Sequence, residues 1–404
     1  RGLVLASGLD FRGKVQDGLA NRSFLIPQAI PMHRAFVLVL AFLVSALPAA
    51  AQTCADRSLD YAARIALCDQ EFELAETDED AAFLLWMKGE AERMLGELDA
   101  AAETLRQGLT LTPANAWLWV ELGHVRYDQG DVAGALAHYS AALAVDDYAE
   151  AWANRAEAWW DFRMAQNCSD DADQALRLDA EYAYANEIKG RCLIDLDRAE
   201  EALGYFDTAI ALVPDYQNAY RNKLKALSKL GRHEDVVALA DLALKPGAFE
   251  SPNPGIEEDI RSRRLAALEA YMPPDVIKAE AEALLRLYPG NLAALNVQAR
   301  ALMTDGDFAG ADALTAPLRQ KSADRTMLSG YLETLARIDA GLGRFEEAYS
   351  NYELALGIDP VLSKAYALKL SELGFLPLSN SPAGVLTALR RCLNVKSSAC
   401  LISA

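Results

Sequence analysis

The sequence repeats itself at an interval of 34 residues: Gly89, Gly96, Ala101 and Leu109 return as Gly123, Gly130, Ala135 and Leu143. A period of roughly 20 to 50 residues marks a chain of small supersecondary units that stack in line, because no unit can bury its apolar face alone. The residue types say what the unit is. Alanine and leucine are abundant and β-branched residues sparse, which favours helix over sheet. Small residues at Gly123 and Ala135 let two antiparallel helices approach closely, and Gly130 suits the turn between them, where a positive φ is common. Tyr139, Ala142 and Leu143 form an i, i+3, i+4 stripe that faces neighbouring helices. Pro113 closes one unit and prepares the next.

Further copies follow in phase. Asn154 to Ala180 is divergent, keeping Ala175 and Leu176 but carrying Arg163 in place of the turn glycine. Gly190, Ala202, Phe206, Ala209, Ile210 and Pro214 mark a strong copy, and Gly231, Ala243 and Leu244 another. Gly306 and Ala311 mark a weak one, and Gly343, Ala348, Tyr352, Ala355, Leu356 and Pro360 a strong late one. With Trp119, Leu122 and Gly123 in the second copy, this pattern resembles the tetratricopeptide repeat over about residues 82–370. The resemblance implies an all-α, right-handed solenoid of helical hairpins with helical caps, made for binding proteins or peptides in a concave groove. Residues 52–81 are predicted as an N-terminal cap helix, 82–246 and 260–370 as repeat units, and 371–404 as a C-terminal cap and tail. The Pro- and Gly-rich stretch 247–259 is predicted as a bend or hinge loop between them.

From Met32 the chain reads as a secretory signal through residue 51: basic Arg34, an apolar run of 13 residues from Ala35 to Leu47, then small Ala49, Ala50 and Ala51. Residues 1–31, upstream of that signal, read as a mis-called start. Export to the periplasm is the expectation, with no stable membrane insertion after cleavage. All six cysteines lie beyond the signal and fall into three local pairs, which points to Cys54–Cys68, Cys168–Cys192 and Cys392–Cys400 among fifteen connectivities; buried free thiols are the alternative. The formal net charge is −19, and removing the five basic and two acidic residues of 1–51 leaves 34 against 56, or −22. Such a chain repels nucleic acid, whose phosphates need clustered Lys and Arg.

The sequence contains no HExxH, GxSxG, Walker-type or GxGxxG motif, and the scattered carboxylates carry no acid–base specificity. No catalytic residue, metal or cofactor is therefore predicted. The resemblance implies instead that the first helix of each unit lines the groove. There it places Trp117, Glu121, His124, Tyr127, Asn154, Glu157 and Trp160, an aromatic and acidic set suited to a partner carrying Lys or Arg. Further along it places Arg191, Arg221, Asn222 and Lys225, a local basic patch suited to a carboxylate. The bland alternatives are packing for the aromatics and surface ion pairs for the cations. The early positions Trp86, Glu90 and Glu121 differ from the Lys and Asn of the family's carboxylate clamp. The leading expectation is a periplasmic scaffold, adaptor or chaperone-like, holding a protein or peptide; the alternative is a cell-envelope enzyme or its accessory subunit.

Overall fold

The structure is a computed structural model that describes residues 53–322, 329–375, 377 and 381–395. The signal segment and Cys400, hence one end of the Cys392–Cys400 pair, lie outside the described residues. Among those described there are twenty α-helices and no strand. After α1 (Tyr61–Phe72) come five hairpins: α2 (Asp78–Met94) with α3 (Leu98–Leu111), α4 (Ala116–Asp128) with α5 (Val132–Val145), α6 (Ala149–Asp161) with α7 (Ala165–Leu178), α8 (Ala183–Asp195) with α9 (Ala199–Leu212), and α10 (Gln217–Lys229) with α11 (His233–Ala243). Then follow α12 (Pro254–Leu268) with α13 (Pro274–Leu287) and α14 (Leu292–Thr304) with the short α15 (Phe308–Leu314) and α16 (Ala316–Ser322). Last come α17 (Ser329–Gly341) with α18 (Phe345–Ile358), and α19 (Pro360–Glu372) with α20 (Pro382–Asn394). This is the all-α solenoid that the repeat implied.

Local chemistry sets the boundaries. Asn115 caps α4 by accepting from the N–H groups of Trp117 and Leu118, and Asp131 caps α5 by accepting from Gly134. The hairpin turns pass through positive φ at Gly96, Gly130, Gly231, Gly306 and Gly343. At the same place in two hairpins stand Arg163 (φ 62°) and Asp197 (φ 63°), so the turn geometry survives without glycine, at some cost in strain. Within each hairpin a large side chain packs where the facing helix has none: Leu105 on Gly89, Tyr139 on Gly123, Phe206 on Gly190. Each of these three large residues is 2% exposed or less.

Helices also touch across the stack. The first helices of successive hairpins meet directly, α2 with α4, α6 with α8, α8 with α10 and α10 with α12, which makes them the inner layer. Among the described residues two disulfides staple the array. Cys54–Cys68 ties the leading segment onto α1, with Cα atoms 4.7 Å apart, and Cys168–Cys192 joins α7 to α8 of the next hairpin, with Cα atoms 5.9 Å apart.

The stretch 247–259 needs correction. Helix α12 already begins at Pro254, because Asn253 accepts from the N–H groups of Gly255 and Ile256 and proline suits the first helical position. The remaining loop is tied down. Gln217 donates to the Ser251 carbonyl at 2.9 Å and accepts from the Asn253 N–H at 2.8 Å, Asp215 accepts from the Glu250 N–H, and Phe249 meets Tyr220 edge-on at 5.3 Å. The loop is fastened to the start of α10, and the helical array runs on through it.

Candidate partner-binding groove

The eleven residues singled out for the groove all lie on the inner helices α4, α6, α8 and α10. Hairpin register puts them in rows: His124, Glu157, Arg191 and Lys225 hold one position of successive inner helices, and Glu121, Asn154 and Asn222 another. Rows of this kind bring side chains one repeat apart into contact, and most of the polar members are spent on each other.

At the α2–α4 junction Arg93 donates to Glu121 at 2.5 Å and to Asp128 at 2.9 Å, while His124 Nδ1 lies 3.1 Å from the second Glu121 oxygen. Glu121 is 5% exposed. Burial pushes its carboxyl up, but the Arg93 guanidinium and His124 outweigh that and hold it at about 2. Burial pushes the His124 imidazole down, and its bond and charge contact with Glu121 reverse this, leaving it raised. Tyr127 donates to Asp161 across one repeat.

The α6–α8–α10 junction is a single network. Arg191 lies 3.9 Å over the Trp160 ring and donates to Glu157 at 3.2 Å, with Glu187 at 3.6 Å. Glu157 also accepts from Tyr184, and the buried Asn222 donates to Glu187 at 2.5 Å. Glu121, Glu157, Arg191 and Asn222, predicted as partner contacts, thus hold neighbouring repeats together. Trp160 is the platform under Arg191 rather than an open face. Its indole N–H, like the Asn154 amide nitrogen, is shielded from solvent without a partner.

Two parts of the inner face stay open. One is basic: Arg221 and Lys225 on α10 make no ion pair with a described residue, and burial lowers the Lys225 ammonium. The other is aromatic. Phe83 and Trp86 of α2, Trp117 of α4 and Tyr148 at the start of α6 run ring to ring, with centroids 5.8, 6.0 and 5.1 Å apart in turn. Phe83 is 45% and Trp117 49% exposed. Of this row only Trp117 was predicted as a partner contact, with Trp86 named at an early clamp position. A signal for its neighbour exists: Tyr148, Tyr182 and Tyr216 recur every 34 residues, each at the N-cap of an inner helix.

Comparison with known proteins agrees with this architecture. A family model described as TPR repeat matches residues 89–130, and models described as tetratricopeptide repeat match 120–163, 170–217 and 330–361. Over 113 residues the chain is 31% identical to Protein STIP1 homolog of Dictyostelium discoideum, covering 28% of this chain and 19% of that protein. The chain therefore spans about a fifth of the length of that curated relative. A structure of pilF from Pseudomonas aeruginosa is similar at a TM-score of 0.48 and 19% identity, covering 55% of this chain and 99% of that one. YrrB, described as a TPR protein with an unusual peptide-binding site, is similar at a TM-score of 0.40 and 18% identity, covering 49% of this chain and 98% of that one. The repeat matches fall on the hairpins α2 to α9 and α17 to α18: over these hairpins the chain is built of tetratricopeptide repeats.

Proposed function

We propose that the chain is a protein-interaction scaffold of the bacterial envelope, exported to the periplasm, whose inner face holds an extended segment of a partner protein. The observation that carries the binding reading is the row Phe83–Trp86–Trp117–Tyr148, in which the exposed rings of Phe83 and Trp117 alternate with the half-buried rings of Trp86 and Tyr148. Exposed rings such as Phe83 and Trp117, held by neighbouring rings on the inner side of a solenoid, give much contact area at little loss of side-chain freedom, and binding hot spots favour them. Export is supported by the signal pattern from Met32 to Ala51 and by two disulfides, which persist in oxidising compartments.

A photo-crosslinking amino acid at Phe83, and another at Arg221, tests the scaffold reading in intact cells. One dominant partner from either site identifies an adaptor, and a spread of exported chains identifies a chaperone. No crosslink at either site refutes groove binding. Amino-terminal sequencing of the protein from the periplasmic fraction tests export; a chain recovered only from cytosol refutes it.

A further inference from the structure

Glu150 stands in the first turn of α6, at the position that Trp117 holds in α4 and Tyr184 in α8. Three acids of the inner helices around it are engaged: Glu90 with Arg64 and Arg57, Glu121 with Arg93 and His124, Glu157 with Arg191 and Tyr184. Glu150 alone of this set makes no hydrogen bond or ion pair with a described residue. The first turn of a helix ordinarily favours an ionised acid. Here burial, with Glu121 and Glu90 nearby, outweighs His124 and Arg57 and pushes the carboxyl up. Next to it the Tyr148 hydroxyl is shielded without a partner, while the Tyr148 ring meets exposed Trp117. A half-buried acid and an unpaired phenol each cost free energy in the empty groove.

The filled version of this arrangement recurs among the described residues, and two cases are close. Arg191 lies over Trp160 and bonds Glu157; Arg155 lies 4.6 Å over the Trp152 ring and bonds Asp171 through two nitrogens. In each, a ring supplies the face, an acid supplies the charge, and an arginine of the chain completes the set. At Trp117, Tyr148 and Glu150 the ring and the acid are in place, and no cation among the described residues makes an ion pair or hydrogen bond with the acid. A guanidinium fits both requirements, since it stacks on aromatic faces and forks onto carboxylates.

We propose that Trp117, Tyr148 and Glu150 receive an arginine or lysine side chain carried by an extended segment of the partner protein. The net charge of −19 favours the approach of such a segment. This rests on the groove reading above and names the chemistry of its occupant.

The test is panning of short random peptides on the purified chain, followed by anisotropy titration of a selected fluorescent peptide and its citrulline counterpart, which keeps the shape of arginine without its charge. Selected peptides should be enriched in Arg or Lys. Citrulline should weaken binding about tenfold on the wild type and hardly at all on Glu150→Gln. An equal loss on both proteins overturns the site. So do selected peptides without Arg or Lys whose binding still falls on Trp117→Ala, which leaves the groove reading standing. If no peptide is enriched, both readings fall.

Discussion

The ring of Tyr139 occupies the space a side chain on Gly123 would need: a Cβ there would press into three ring atoms. Tyr139 is 2% exposed and cannot swing away without opening the hairpin of α4 and α5. Gly123→Ala should therefore destabilise the array by roughly 1–3 kcal/mol, the range for overpacking a tight core. A urea titration followed by far-UV circular dichroism measures it; an unchanged midpoint would mean that the ring has room to shift.

Arg163 offers the opposite change. It holds φ 62° where most equivalent turns use glycine. Arg163→Gly should raise stability by about 0.5–1 kcal/mol, because the left-handed conformation strains any residue with a Cβ. Part of the gain is offset by losing the contact of its guanidinium with Trp160, 5.7 Å from the ring centre. The thermal midpoint should rise, and a fall would show that this contact outweighs the strain.

The Glu121–His124 pair makes stability depend on pH from two sides. His124 is raised above 6.5 in the folded chain, so its contribution is full below about pH 6.5 and fades as pH climbs through the folded value. Glu121 is held at about 2, so its contribution is full above its ordinary 4.5 and is lost as pH falls toward 2. The stability gap between wild type and His124→Gln should be widest between pH 4.5 and 6.5, measured by denaturant titrations across pH. A gap that does not change with pH would exclude a charged pair.

Cys168 and Cys192 are both fully buried and link adjacent hairpins. Replacing both with serine should cost about 2–4 kcal/mol and expose the α7–α8 junction first. Hydrogen exchange by mass spectrometry should show the earliest loss of protection in peptides covering that junction. Uniform exchange along the array would refute a local role.

Much of the fold was legible because its causes are local. The turn at Gly130 and the stripe Tyr139–Ala142–Leu143 recur with the period, and in a repeat array a local pattern multiplied is the architecture. Arg163 was correctly placed at a turn by phase alone, against its own propensity. The start of α12 was misplaced by six residues because proline and glycine near Asn253 read as loop, whereas Asn253 uses them to begin a helix. The rings of Phe83 and Tyr148 were missed because each is unremarkable within its own unit and gains meaning only beside Trp117.

The sequence by itself determined that the chain is a stack of helical hairpins and where the turns fall, since both follow from periodicity and residue size, while the inward orientation of each first helix was what the resemblance implied. Only the tertiary structure decided which inward polar groups are free. Glu157 and Arg191 stand 34 residues apart, Tyr127 and Asp161 likewise, and Glu187 and Asn222 35 apart. Whether such pairs touch depends on the rise and rotation from one hairpin to the next, a property of whole packed units. That geometry consumed Arg191 and Asn222 in holding the array together and left Glu150 without a hydrogen-bond or ion-pair partner among the described residues.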